Sequence, residues 1–246
     1  MLTKDKIHTL TAQETTDGQG VKIRRLFPSP STKHFDPFVL LDEFFLRPPA
    51  SFPDHEHRGF EAITYMLEGG FHHKDSLGND TTVMAGGAQR FVAGKSLTHS
   101  EMPGTDQLNH GIQLWINLPR NLKQMPPEYQ QIDEKKIPFS NDYDAMVRTV
   151  VGTNSPVAPH TRMTMLDVVL QHKHNFYFKI PHNYKGMAYL LSGTIKVFGT
   201  ELHSGQAFLI DTDRDAEIEA LGRSRFMLIA GKPHGEPIHL NGSFVD

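Results

Sequence analysis

Turn-forming residues interrupt this chain at short intervals, and that rhythm limits the folds it can adopt. Gly, Pro, Asn and Asp recur roughly every dozen residues. They separate short apolar runs such as Phe38-Val39-Leu40-Leu41 and Ile112-Gln113-Leu114-Trp115-Ile116. A helix would need longer stretches with a period of about 3.6 residues. The sequence therefore predicts an all-β protein built from sandwiches or barrels. A short helix is expected at most within residues 120–129, where two consecutive prolines prevent a longer one.

A short segment of the chain occurs twice. Thr64-Tyr65-Met66-Leu67-Glu68-Gly69-Gly70 reappears as Ala188-Tyr189-Leu190-Leu191-Ser192-Gly193-Thr194, and a Gly-containing turn follows each copy. Between the copies, residues 118–140 are rich in Pro and mixed in charge, which is typical of a connector. We therefore predict two related antiparallel β-barrel (jelly-roll) domains, at residues 1–132 and 133–246.

Two closely spaced pairs of polar residues lie in the first half. His55 and His57 form one pair, and His99 and Glu101 form the other. Residues two apart on a strand point to the same face, so two adjacent strands would bring all four side chains together. Three imidazoles and one carboxylate suit a divalent first-row metal, iron foremost, and leave open positions on a six-coordinate ion. These four residues are the predicted metal ligands.

Other His and acidic residues are weaker candidates. His72 and His73 are adjacent on a predicted strand, so they point to opposite faces and cannot both be ligands. Glu61 follows His57 by four positions and would share its face in a continuous strand. It could be a fifth ligand or a surface carboxylate, but we favour a role in orienting a ligating imidazole, for which Asp54 and Glu56 are also candidates.

The second half carries similar spacings without the same context. His172 and His174, and likewise His234 and Glu236, are expected to be exposed polar residues. Aligning the two halves places residues 179–183 where the first half has His55 and His57, and residues 213–215 where it has His99 and Glu101. The second domain is therefore predicted to lack the ligand set, which leaves one metal in the N-terminal half.

Composition excludes several function classes. A formal net charge of −3 argues against a broad basic surface for nucleic acid or anionic lipid. The chain has no Cys, so thiolate metal sites, disulfides and cysteine nucleophiles are excluded. The first residues, Met1 to Lys6, have no apolar core of a signal peptide, and no run approaches the roughly 20 apolar residues that span a bilayer. We expect a cytoplasmic protein with no direct contact to nucleic acid or membrane.

The residues around the two pairs resemble a known family. The segments that carry the likeness are Asp36 to Phe44, Phe52-Pro53-Asp54-His55-Glu56-His57-Arg58-Gly59-Phe60-Glu61, Thr64 to Gly69, Asp75 to Asn79, His99-Ser100-Glu101-Met102-Pro103, Gly111 to Pro119 and Leu228 to Pro237. They closely resemble the pirin family of the cupin superfamily. The resemblance covers nearly the whole chain and is densest over residues 36–119.

The resemblance implies a bicupin, with two β-barrels face to face in one monomeric chain. It implies iron in the N-terminal barrel, held by the residues that match His55, His57, His99 and Glu101. Some pirins resemble quercetin 2,3-dioxygenases, whereas others act as redox-sensitive co-regulators of transcription or bind metabolic enzymes. The chain departs from the family pattern at Arg90, where an aromatic residue is usual, so we expect a change in the shape or charge of the pocket.

Two functions are compatible with these residues. In the first, a flavonol dioxygenase, the metal takes the flavonol through its 3-hydroxyl group and Glu101 accepts the proton. Dioxygen then cleaves the heterocycle with loss of carbon monoxide. The natural substrate could equally be another small enolisable aromatic or acidic compound. Five phenylalanines are candidates for the wall of an aromatic pocket, and about two are expected to serve: Phe44, Phe45, Phe52, Phe60 and Phe91.

The alternative is a non-catalytic regulator that binds iron, responds to its redox state or presence, and contacts a protein partner. Because the chain has no Cys, any such redox response would depend on the metal. Fe²⁺ is the favoured ion in both hypotheses, although manganese, nickel, cobalt, copper and zinc accept similar ligands.

Overall fold

A computed structural model describes residues 8–211 and 215–246 of the chain. The predictions made for the first six residues, and for Asp213 and Arg214 in the alignment of the two halves, lie outside this range.

The described residues form short β-strands and two single-turn 3₁₀ helices. The strands up to the connector are β1 (His8–Thr11), β2 (Gln13–Asp17), β3 (Val21–Phe27), β4 (Phe38–Leu46), β5 (Phe52–His57), β6 (Phe60–Glu68), β7 (Gly70–Asp75), β8 (Asp80–Met84), β9 (Ala88–Val92), β10 (Leu97–Pro103), β11 (Asn109–Asn117) and β12 (Glu128–Ile132). The later strands are β13 (Phe139–Asn141), β14 (Ala145–Val151), β15 (Met163–Leu170), β16 (Asn175–Phe178), β17 (Lys185–Ser192), β18 (Thr194–Val197), β19 (Thr200–His203), β20 (Gln206–Ile210), β21 (Ala216–Ala220), β22 (Ser224–Gly231), β23 (Leu240–Asn241) and β24 (Phe244–Val245). The 3₁₀ helices are Arg120–Leu122 and Glu134–Lys136.

The strands build two barrels of the same topology. In the first barrel a seven-stranded sheet of order β12-β9-β6-β11-β4-β3-β2 faces a four-stranded sheet of order β5-β10-β7-β8. The second barrel repeats this plan with β1-β20-β17-β22-β15-β14-β13 and β16-β21-β18-β19. The predicted all-β bicupin fold, with two antiparallel barrels in one chain, is confirmed.

The ends of the chain cross between the barrels. Strand β1 pairs with β20 in the second barrel, where it takes the place that β12 takes beside β9 in the first. At the other end, Phe244 forms a bridge with Arg58 of the first barrel. Val245 is fully buried in the apolar cluster that contains Phe60 and Trp115. The division of the chain at 132/133 stays a prediction, and both terminal segments pack across it.

The outer faces of the two seven-stranded sheets pack against each other. Their shared apolar core includes Ile63 and Met165. The tyrosines of the repeated segment lie in this core and reach reciprocally across it. The hydroxyl of Tyr65 donates to Asp167 at 2.8 Å, and that of Tyr189 donates to Glu43 at 2.7 Å. The repeat seen in the sequence therefore corresponds to an approximate two-fold relation between the barrels.

The connector differs from the expected short helix. Only Arg120–Leu122 is helical within residues 120–129, and Tyr129 already belongs to β12. The polar segment becomes a strand because its backbone can pair with the edge of β9. In the part of the chain that is described, no helix is long and apolar enough to cross a membrane.

Candidate metal centre

The predicted ligands lie on two neighbouring strands of the first barrel. Strand β5 pairs antiparallel with β10, and His55 is directly opposite His99. The register then shifts by one residue, so Glu101 is opposite Phe52. Such a bulge changes the direction of side chains locally. The two predicted pairs therefore lie on adjacent strands, and the pairing of β5 with β10 brings them together.

Three imidazoles point at one another. The ligand atoms of His55, His57 and His99 all lie within 4.8 Å of one another. The Nε2 atoms of His55 and His99 are 3.0 Å apart. Two nitrogens that each lie about 2.1 Å from a common ion, at a right angle, are about 3 Å apart, so this spacing fits two ligands of one metal.

The backbone orients two of these rings. The Nδ1 atom of His55 lies 2.8 Å from the carbonyl oxygen of Pro53, and that of His57 lies 3.2 Å from the carbonyl oxygen of Ser243. A carbonyl can only accept, so Nδ1 of each ring carries the proton and donates it. The Nε2 lone pair of each ring is therefore free for a metal.

Burial keeps the imidazoles of His57 and His99 neutral. It lowers the pKa of His57 to about 3, and the nearby His55 acts in the same direction. Burial, with the neighbouring His57 and His55, also holds the pKa of His99 well below 6.5. Neutral imidazole is the form that binds metals. The aromatic ring of Phe91 stacks on His57 with 5.6 Å between centroids, and it limits access of water from that side.

Glu101 lies beside this group rather than within it. Its Oε1 is 3.9 Å from Nδ1 of His99, on the ring edge away from His55. Glu101 forms a second group of close ligand atoms with His73 and His99. The two groups share His99, so together they make one continuous cluster. Glu101 also lines the same cavity as His55 and His57.

Two amides hold the Glu101 carboxylate. Gln89 Nε2 donates to Oε1 at 3.0 Å, and Gln113 Nε2 donates to Oε2 at 3.3 Å. The indole N–H of Trp115 donates to Oε1 of Gln113 at 3.0 Å, which fixes the amide so that its NH₂ faces Glu101. Burial raises the pKa of Glu101 to about 8, although both amides favour the charged form. The group can therefore gain or lose a proton near neutral pH.

His73 is a buried member of the cluster that sequence reasoning passed over. Its Nδ1 is 3.3 Å from Nδ1 of His99, and its Nε2 is 3.0 Å from the carboxylate of Asp75. The ring stacks on Tyr129, with centroids 4.4 Å apart. His72 points to the other face and contacts Asp80, so the prediction that the two neighbours diverge is confirmed. The His73-Lys74-Asp75 spacing on β7 was the available signal, because it puts both side chains on one face.

The prediction for Glu61 is wrong. The chain turns at Gly59, and β5 and β6 belong to different sheets, so Glu61 does not share the face of His57. Its buried carboxylate instead pairs with Arg90 at 3.0 Å and accepts the backbone N–H groups of His160 and Thr161 from the second half of the chain. Glu61 therefore links the two halves.

The expected effect of Arg90 on the pocket is also wrong. Alternation along β9 sends Gln89 and Phe91 toward the cluster and Arg90 to the opposite face, where it pairs with Glu61 and Glu128. Glu56 points outward as well and accepts a hydrogen bond from Ser96. Asp54 is exposed at the cavity.

The His pairs of the second half have other partners. His172 is exposed, and His174 contacts Asp144. His234 was expected to be exposed but is half-buried, and its Nε2 lies 3.0 Å from the carbonyl oxygen of Asn117. Glu236 accepts the backbone N–H of Arg120.

The two halves align differently from the expected register. Strands β16 and β21 take the places of β5 and β10, so residues 179–183 are not the counterpart of His55 and His57. Phe176 and Ile218, which are direct partners there, pack into the apolar core of the second barrel. The absence of a metal from that barrel stays a prediction.

A cavity of about 550 Å³ opens beside the imidazoles of His55 and His57. Its apolar wall includes Leu40, Phe44, Phe52 and Trp115, and its polar wall includes Arg25, Asp42 and Gln113. Two of the five candidate phenylalanines, Phe44 and Phe52, therefore line it. Phe60 and Phe91 contact the His57 ring, and Phe45 stacks on His110. This volume is in the range of sites for drug-sized molecules.

Comparison with known proteins agrees with this architecture. The family model described as Pirin matches residues 20–116, and the model described as Pirin C-terminal cupin domain matches residues 165–246. The chain belongs to the pirin family. Pirin-like protein 2 of Arabidopsis thaliana is 36% identical over an alignment that covers 97% of this chain and 78% of that protein.

Solved structures related to this pirin-family chain share its bicupin fold. Quercetin 2,3-dioxygenase from Acinetobacter baumannii superposes with a TM-score of 0.88 at 26% identity, covering 97% of this chain and 90% of that chain. The bacterial pirin YhhW from Escherichia coli, in complex with nickel(II), superposes with a TM-score of 0.77 at 20% identity, covering 92% and 99%. The second likeness concerns the fold alone.

Proposed function

We propose that this pirin-family protein is a metal-dependent dioxygenase of the quercetin 2,3-dioxygenase type. Its substrate would be a flavonol or a similar enolisable aromatic compound, with O₂ as the second substrate. The observation that carries the proposal is the convergence of three imidazoles, two of which line a cavity of about 550 Å³ whose wall also contains Glu101. The structural similarity to a quercetin 2,3-dioxygenase supports it.

The donor set fits a divalent first-row metal. His55, His57 and His99 would supply Nε2 ligands, and Glu101 would lie close to the ion or bind it. Fe²⁺ is our favoured ion, and manganese, nickel, cobalt, copper or zinc would suit the same nitrogen and oxygen donors. A bound ion would acidify an enolic hydroxyl group as a Lewis acid and orient both reactants.

Glu101 is the proposed base. It is buried, and burial raises its pKa to about 8, so its charged form is a strong proton acceptor. The amide groups of Gln89 and Gln113 hold both carboxylate oxygens and would keep them directed at the hydroxyl proton. The apolar side chains of the cavity would exclude water from a flat aromatic ring.

Elemental analysis of the purified protein, followed by oxygen uptake with quercetin under air, tests the proposal. We expect metal near one ion per chain, oxygen consumption and loss of the flavonol absorbance band. His57→Ala should abolish turnover. His72→Ala should retain it, because His72 lies on the face of β7 that points away from the cluster and toward Asp80. Metal-loaded wild-type protein that consumes no flavonol and no oxygen would contradict the dioxygenase.

The alternative is a metal-responsive regulator that binds a protein partner. The contact between His57 and Ser243 favours it, because this contact connects a candidate ligand to the C-terminal segment, where Asp246 is exposed. Iron binding without flavonol turnover, joined to a change at this surface upon metal loading, would favour the regulator. A monomeric state and a cytoplasmic location stay predictions in both cases.

A further inference from the structure

A line of polar side chains crosses the inner face of the first barrel. Gln89 on β9, Thr64 on β6, Gln113 on β11, Asp42 on β4 and Arg25 on β3 are successive direct partners in the sheet. Directly paired residues of neighbouring strands point to the same face. The five side chains therefore form one continuous row, which we name the polar row.

The polar row leads away from the metal centre. Gln89 and Gln113 hold Glu101. Neighbouring strands are about 4.8 Å apart, so Arg25, two strands beyond Gln113, lies roughly 10 Å further along the sheet. Asp42 and Arg25 line the same cavity as His55 and Glu101. A molecule bound at the metal would therefore have its remote end beside Arg25 and Asp42.

Apolar side chains border the polar row on both sides. Leu40 is paired with Trp115 on one side, and Ile23 is paired with Phe44 on the other. All four side chains line the cavity. Flat aromatic rings would cover this apolar surface, and their substituents would meet the polar row.

Carboxylates already neutralise the guanidinium at the remote end. Arg25 donates to both oxygens of Asp42, at 2.9 and 2.6 Å, and to Asp17 at 2.7 Å. Burial opposes the charge of Arg25, but these two carboxylates outweigh that effect and raise its pKa. Each carboxylate oxygen has a further lone pair that can accept a hydrogen bond. The remote end is thus rich in acceptors and has no spare cation.

The balance of charge in the cavity points the same way. Three acidic residues line it besides Glu101: Asp17, Asp42 and Asp54. Among the described residues, Arg25 is the one Lys or Arg that does so. A carboxylate on the substrate would meet like charges there, whereas a hydroxyl group would meet acceptors.

We propose that Asp17, Arg25 and Asp42 form the subsite that recognises phenolic hydroxyl groups remote from the metal. The substrate class is accordingly a neutral, flat, polyhydroxylated aromatic compound, and aromatic acids are disfavoured. This inference rests on the proposed function, because it places the enolic end of the substrate at the metal.

The single Trp of the chain provides a direct assay of binding. Trp115 lines the cavity, so quenching of its fluorescence reports occupancy there. Zinc-loaded protein under nitrogen would be titrated with quercetin and with 3-hydroxyflavone, which lacks the remote hydroxyl groups. A 3-hydroxyflavone that carries a carboxylate on its remote ring would be the third ligand. Corrections for light absorption would come from free N-acetyltryptophanamide.

The test variants are Asp42→Asn and, on the exposed edge strand, Asp17→Asn. The second keeps the test available if loss of Asp42 impairs folding. The matched control is Glu56→Gln, which removes one negative charge on β5 outside the cavity. Melting curves of all variants would show whether each is folded.

We expect wild-type protein to bind quercetin at least about tenfold more tightly than 3-hydroxyflavone, because a hydrogen bond to a charged group has that effect. Asp42→Asn and Asp17→Asn should reduce this preference, while Glu56→Gln should preserve it. The carboxylated ligand should bind most weakly. Equal affinities of the wild type for the three ligands would overturn the subsite. So would an equal loss of affinity for quercetin and for 3-hydroxyflavone in Asp42→Asn and Asp17→Asn.

Turnover by the iron-loaded protein separates the two proposals. Selective binding of quercetin without oxygen uptake would refute the dioxygenase and leave the subsite in place. Oxygen uptake with both flavonols at equal affinity would refute the subsite and leave the dioxygenase in place. Absence of quenching by every ligand would refute the subsite.

Discussion

The Nδ1 atom of His57 lies 3.2 Å from the backbone carbonyl oxygen of Ser243, 186 residues further along the chain. The C-terminal segment thus orients a candidate metal ligand of the first barrel. Lys123 supports the segment by donating to the carbonyl oxygen of Val245 at 2.9 Å. The geometry of the candidate metal centre therefore depends on residues 243–245.

Gly59 offers a way to displace this segment. Its φ is +82°, and a Cβ atom there would lie 1.8 Å from the carbonyl oxygen of Val245. We expect Gly59→Ala to push the segment from His57 and to lower metal affinity roughly 10- to 100-fold. Competition with a chromogenic chelator measures this. Gly199→Ala is the matched control, because Gly199 has a φ of +78° and open space around it. Equal metal affinity in the two variants would contradict the role of the segment.

His73 is predicted to support metal binding through His99. Its contacts with His99 Nδ1 and with Asp75 form a chain that would hold the His99 ring with Nε2 toward the ion. His73→Ala should lower metal affinity roughly 10- to 100-fold, as loss of such a hydrogen-bond partner usually does. His72→Ala removes an adjacent imidazole that faces Asp80 and should have no effect on affinity. If both variants bind metal like the wild type, His73 has no such role.

Glu101 should make the stability of the metal-free protein depend on pH. Burial raises its pKa from 4.5 to about 8. Between these values the folded protein holds a proton that the unfolded chain has released. Its contribution to the free energy of unfolding is thus fully present below pH 4.5 and is lost as the pH rises through about 8. The expected slope in this window is about −1.4 kcal/mol per pH unit.

Chemical unfolding of metal-free wild-type protein and of Glu101→Gln across this pH range measures the effect. As the pH rises through this range, the free energy of unfolding of the wild type should fall relative to that of Glu101→Gln. His57, whose pKa burial lowers from 6.5 to about 3, contributes stability above pH 6.5 that is lost as the pH falls. That opposite trend is common to both proteins and cancels in the difference. Parallel stability profiles would show that Glu101 is ionised in the folded protein throughout.

Glu61 is predicted to stabilise the association of the barrels without affecting the affinity for metal. Its removal leaves buried Arg90 and the N–H groups of His160 and Thr161 without their carboxylate. We expect Glu61→Ala to lower the free energy of unfolding by about 3–5 kcal/mol. Glu68→Ala, at the exposed end of the same strand, should cost less than about 0.5 kcal/mol. A loss of metal affinity in folded Glu61→Ala protein would argue for a role at the centre instead.

The candidate ligands were predictable because their arrangement is local. Two side chains separated by one residue on a strand share a face, so His55 with His57, and His99 with Glu101, were identified from spacing alone. The prediction that Glu61 shares the face of His57 was wrong because it assumed a continuous strand, whereas the chain turns at Gly59. His73 was passed over because its place in the cluster depends on its contact with His99, which lies on another strand.

By itself, the sequence determined the all-β class, the two-barrel plan and the four candidate ligands, because strand period, turn residues and an internal repeat are properties of neighbouring positions. Tertiary structure alone decided which groups surround that centre. The contact of His57 with the Ser243 carbonyl and the pairing of β1 with β20 join residues far apart in the chain. The pairing of Asp42 with Gln113 is set by the register between two strands. Such contacts depend on packing of the whole fold, which no local pattern encodes.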